Sequence, residues 1–84
     1  MNLLEWFFSP KKGTPSFYIQ RGNEFLYSGN EQYQEAIVEF SKAIELDAQC
    51  IEAYINRGMV YFFCGELDLA GNDFYKSREI KARK

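Results

Sequence analysis

The sequence predicts an all-α fold built from two helix-turn-helix hairpins, and three observations carry this. The chain repeats itself at a spacing of 34 to 36 residues, apolar residues recur at helical spacing in four long stretches, and glycines punctuate those stretches. No window alternates apolar and polar residues between turn signals, so a sheet has no source. With 84 residues there is room for one small domain, and 46% apolar residues suffice to give it a core.

Met1, Leu3, Leu4, Phe7 and Phe8 share one face at helical spacing, opposite Asn2 and Glu5, until Pro10 stops the pattern. This predicts a short amphipathic N-terminal helix. With its linker through Gly13 it is set apart as residues 1–13, ahead of a two-repeat unit at 14–84 divided into 15–50 and 51–84. Thr14 is a suitable N-cap, and Pro15 is preorganised for the first helical position. Helical pattern then runs from Pro15 to Tyr27, stops at Gly29, and resumes from Gln32 to about Asp47. A third stretch spans Cys50 to Cys64, Gly65 interrupts it, and a fourth runs from Leu67 to about Arg83.

Tyr18, Gly22 and Gly29 recur as Tyr54, Gly58 and Gly65, each 36 residues on, whereas Ala36, Phe40 and Leu46 recur as Ala70, Phe74 and Ile80, 34 residues on. The shift changes because Gly29 to Ala36 is two residues longer than Gly65 to Ala70, which places an insertion in the first hairpin turn. The pattern of aromatic-x-x-x-Gly-x-x-aromatic followed by Ala-x-x-x-Phe rests on Tyr18, Gly22, Phe25, Ala36, Phe40 and Ala43, then on Tyr54, Gly58, Tyr61, Ala70 and Phe74. From Pro15 to about Ala82 it resembles the tetratricopeptide repeat (TPR) family. Gly22 facing Ala36, and Gly58 facing Ala70, are expected to let the helices of each hairpin approach closely. Arg21 and Arg57 stand where the family usually has leucine, and their stems are expected to cover apolar surface with the guanidinium in water. Ser77 replaces a small alanine. Ala48 replaces a proline that usually ends the second helix, suggesting a more continuous passage out of Asp47.

The resemblance implies a fragment of a right-handed α-α superhelix whose first helices line a concave groove. Ile19, Asn23, Leu26, Tyr27, Ile55, Asn56, Met59, Phe62 and Phe63 are its expected lining. Tyr27, Phe62 and Phe63 either bind a ligand there or are covered by a neighbouring element; both readings require that something cover them. Asn23 and Asn56 match two asparagines with which some family members hold a terminal carboxylate, but Ile19 replaces one of the cations of that clamp. A repeat hairpin buries its apolar face by stacking on a neighbour. Self-association, as a homodimer, is therefore expected through Leu3, Leu4, Trp6, Phe7 and Phe8 together with Leu67, Phe74 and Ile80.

Several function classes lose support at once. There is no histidine, so the commonest general base and metal ligand is missing, and no phosphate loop, activated nucleophile or metal-ligand spacing occurs. No enzyme, metal or cofactor is expected. Glu35, Glu39, Asp68 and Asp73 read as the wet faces of amphipathic helices. The net charge is −2, and the basic end from Lys76 to Lys84 suits the C-terminal pole of a helix dipole better than a nucleic-acid interface. Cys50 and Cys64, if on one helix, stand roughly 21 Å apart, beyond disulfide reach. Unpaired thiols and no secretory signal point to a reducing, cytoplasmic setting, and the apolar N-terminal segment is too short to span a bilayer. The expected partner is a protein or peptide.

Overall fold

A computed structural model describes residues 10–83. Four helices follow one another: α1 (Pro15–Leu26), α2 (Tyr33–Leu46), α3 (Ile51–Phe63) and α4 (Leu67–Arg83). Among the described residues there is no strand. The helix expected at Met1–Phe8 lies outside them.

Helix α1 begins as its first residues require. Thr14 is extended, its Oγ1 accepts from the Phe17 amide at 3.2 Å, and Pro15 occupies the first turn. The same hydroxyl donates to the Lys11 carbonyl at 2.7 Å, so residues 11–14 form a closed turn. The two hairpin turns differ as the repeat offset demands. Residues 64–66 join α3 to α4 with Gly65 at φ 79°, a left-handed conformation that favours glycine. Residues 27–32 join α1 to α2, and there the extra length brings a second left-handed residue, Glu31 at φ 55°.

The expected continuous passage from Asp47 does not occur. Helix α2 ends at Leu46, Asp47 is extended, its Oδ1 accepts from the Gln49 amide at 3.0 Å, and the Cys50 amide bonds back to the Asp47 carbonyl at 3.1 Å. An aspartate turn closes the helix in place of proline, and the Tyr54 hydroxyl fastens it by donating to the Ala48 carbonyl at 3.1 Å.

Each hairpin packs closely through a glycine, and the nearest atoms across the contact belong to a phenylalanine ring. The Phe40 ring lies over Gly22: an added Cβ would stand 2.5 Å from Phe40 Cε1. At Gly58 the Phe74 ring takes the same place, 2.8 Å from an added Cβ. The aromatic ring needs a flat, side-chain-free floor, which only glycine supplies. Phe40 is fully buried, worth roughly 2–3 kcal/mol of transfer free energy. The main core joins Ile19, Leu26, Ala36, Phe40 and Ala43 of the first hairpin to Ala53 and Val60 of α3, so α3 closes the first repeat as well as opening the second. Ser77 fits the small position of α4 because its hydroxyl donates to the Phe74 carbonyl at 2.8 Å.

Candidate functional site

The residues expected to line a groove separate into two groups. Ile19 and Leu26 do not face open space: both are 7% exposed, because α3 packs over this side of α1. Asn23 and Asn56 are brought together, but onto each other, with Asn56 Nδ2 donating to Asn23 Oδ1 at 2.9 Å. The pair stitches α1 to α3. Tyr27, Ile55, Phe62 and Phe63 stay exposed, and Met59 is half-buried.

Phe62, Phe63 and Met59 fall on one side of α3 by their spacing, and with Phe74 of α4 they enclose an apolar pocket of about 270 Å³. The Phe63 ring also meets Tyr33 of α2, with centroids 6.0 Å apart, and Phe62 edge-on at 6.2 Å. Leu67 is exposed beyond the turn. Ile80 requires a correction: it is fully buried within the chain and offers nothing to a second copy. The proposed self-association residues Leu3, Leu4, Trp6, Phe7 and Phe8 lie outside the described residues.

Comparing the two repeats explains the pocket. Leu26 and Phe62 occupy equivalent positions, 36 residues apart, yet Leu26 is 7% and Phe62 58% exposed. Phe40 and its equivalent Phe74 differ in the same direction, from fully buried to half-buried. In the first repeat this face is the seat of α3; in the second it is open.

Helices α3 and α4 are also joined by an ion-pair network that the sequence reading missed. Arg57 Nε and NH2 meet Asp73 Oδ2 and Oδ1, both at 2.8 Å, and NH1 donates to Ser41 Oγ at 3.1 Å. The guanidinium carbon sits 5.8 Å and 5.7 Å from the Tyr54 and Tyr61 ring centres. The Arg57 pKa is raised above its ordinary value, chiefly by the Asp73 hydrogen bond, against the opposing effect of burial. Its charge is therefore permanent. The first repeat has a looser copy, Arg21 Nε to Glu39 Oε2 at 3.3 Å, with Lys42 Nζ 3.6 Å from the same carboxylate. Thus Arg57 does not keep its guanidinium in water, and Glu39 and Asp73 are buried, unlike the exposed Glu35 and Asp68. The Arg57–Asp73 pair fixes α4 to α3, hence the pocket's walls, and the Arg21–Glu39 pair fixes α2 to α1.

Cys50 and Cys64 are free and flank opposite ends of α3. Among the described residues no group of three potential metal ligands gathers, and no helix is long and apolar enough to cross a membrane.

Hairpins that repeat, glycine floors under aromatic rings and an open end face define a helical-repeat protein of the interaction-module class. The TPR repeat family matches residues 22–63, and a second tetratricopeptide repeat description matches residues 51–83. The chain belongs to the TPR family. It is similar to anaphase-promoting complex subunit 3 of Schizosaccharomyces pombe (strain 972 / ATCC 24843), being 35% identical over 63 residues, 75% of this chain. The chain spans 9% of that relative's length.

Proposed function

We propose that the chain is a non-enzymatic interaction module that holds a polypeptide segment against the aromatic surface of its second repeat. The observation that carries this reading is the inequality of equivalent residues, Leu26 covered and Phe62 open. An apolar face that one repeat buries under a helix is a face suited to receive one. The similarity to a protein named as a subunit of a complex supports the same reading. Ile55, Met59, Phe62 and Phe63 of the second repeat, with Tyr27 from the first, are the proposed contact residues. Ile19 and Leu26 act in the core. Asn56 already donates one amide hydrogen to Asn23, which ties the two side chains to each other and disfavours terminal-carboxylate binding.

The test is co-purification of the tagged chain with its cellular partners, for wild type and for Phe62→Ser/Phe63→Ser. Partners specific to the wild type are expected, with unchanged helicity and melting temperature because both side chains are exposed. An identical partner set for the two proteins would refute the reading.

Self-association is a second reading, favoured by the same open pocket, with Leu67 and Phe74 facing another copy. Sedimentation equilibrium separates the two: a self-associating chain shows a mass that rises with concentration and falls on Phe62→Ser.

A further inference from the structure

Toward the hairpin turns the pocket has a charged surround, and there the charge is all of one sign. The chain carries no lysine or arginine between Gly22 and Ser41, or between Gly58 and Tyr75. Within those stretches Glu24, Glu31, Glu35, Glu66 and Asp68 are exposed, and among the described residues none has a basic partner within ion-pair distance. The fold gathers them at one end. Both hairpin turns lie there, as the contact between Tyr33 at the start of α2 and Phe63 at the end of α3 requires. Glu31 and Glu35 flank Tyr33, whereas Glu66 and Asp68 flank Leu67 immediately beyond the pocket. The remaining acids of these stretches, Glu39 and Asp73, are already occupied by Arg21 and Arg57.

From this geometry we infer that the second repeat's open face binds a basic amphipathic helix, with apolar side chains in the Met59, Phe62, Phe63 and Phe74 pocket and lysine or arginine against the acidic rim. The inference rests on the interaction-module reading and specifies the partner's chemistry. A helix is the occupant because α3 already occupies the equivalent seat on the first repeat, where Asn56 bonds Asn23 and Arg57 reaches Ser41. A cationic one is selected because a carboxylate-bearing segment would meet like charge at the turn end of the pocket, where the apolar anchor lies. The seat is apolar only toward the turns. Farther along α4, Gly71, Tyr75 and Arg78 replace the Ile37, Ser41 and Ile44 of α2, so the occupant is anchored at the acidic end.

The probe is a fluorescein-labelled synthetic peptide of about four helical turns, leucine on one stripe and lysine elsewhere, with a twin in which glutamate replaces every lysine. Fluorescence anisotropy is read against the full chain, Phe62→Ser and Glu66→Gln/Asp68→Asn, at low and raised salt, with sedimentation of the chain alone. We expect the lysine peptide to bind about tenfold or more tightly than its twin, to weaken with salt, to be lost on Phe62→Ser and to weaken several-fold on Glu66→Gln/Asp68→Asn. Equal or tighter binding of the glutamate twin through Phe62 overturns the charge assignment and leaves the module reading standing. Binding of the lysine peptide that ignores Phe62→Ser overturns the seat. If neither peptide binds a chain that sediments as a monomer, the helical occupant is overturned, while the module reading stands or falls by the co-purification. A dimer broken by Phe62→Ser assigns the face to a second copy and overturns the proposal.

Discussion

At the scale of single residues, the two arginine–carboxylate pairs occupy equivalent places but not equivalent environments. Asp73 is nearly enclosed and both its oxygens are taken by Arg57, so Arg57→Met leaves a buried carboxylate without a partner and should cost roughly 3 kcal/mol. Arg21 is about half exposed, and Glu39 keeps Lys42 when Arg21 is removed, so Arg21→Met should cost under about 1 kcal/mol. Urea unfolding of both variants checks this; equal losses would mean that the pairs are energetically alike. The helical glycines make a second contrast. Gly22→Ala drives a methyl into the immobile Phe40 ring and should destabilise by about 1–3 kcal/mol, beyond what its better helix propensity returns. An added Cβ at Gly71 meets no atom within 4 Å, so Gly71→Ala should stabilise by about 0.5–1 kcal/mol. Gly58 falls between, since Phe74 borders a pocket into which its ring can shift.

At the scale of elements, the offset between the 36- and 34-residue shifts located the longer turn, and the structure adds what that length does to the backbone. Glu31 is the non-glycine residue with positive φ among those described. A side chain there costs about 1 kcal/mol, so Glu31→Gly should raise the melting temperature measured by circular dichroism, whereas Gly65→Ala in the short turn should lower it. Helix limits were legible to within a residue or two because Thr14, Pro15, Gly29 and Gly65 act locally, through capping and left-handed φ. What was not legible depends on contacts across a hairpin. Arg21 and Glu39 are 18 residues apart, and Arg57 and Asp73 16, so helical periodicity assigned each acid to a wet face without seeing the opposing arginine. A signal did exist: each arginine–acid pair recurs under the same shifts that reveal the repeat. Likewise, the burial of Ile19 and Leu26 follows from α3 crossing α1, a placement no one-dimensional pattern encodes.

At the scale of the whole molecule, a repeat array is stabilised by each element's neighbours, so its ends open before its middle. Among the described residues, helices α2 and α3 are flanked on both sides, α2 by α1 and α3, and α3 by α2 and α4, while α4 packs on α3 alone. The main core is shared among α1, α2 and α3; it leaves α4 out. What holds α4 is the glycine seat of Phe74, the Arg57–Asp73 pair and the buried Ile80. Native-state hydrogen exchange should therefore find the slowest amides in α2 and α3, and faster exchange along α4, most of all after Ile80, where Lys81, Ala82 and Arg83 are exposed. Arg57→Met should speed exchange in α4 more than in α1. This links stability to binding: a helix seated on the Met59, Phe62, Phe63 and Phe74 pocket would give α4 a neighbour beyond α3, and saturating peptide should slow α4 exchange toward that of α3. Uniform protection across all four described helices of the free chain would show that the second repeat is already closed, and that its open aromatic face is no weakness a partner needs to cover.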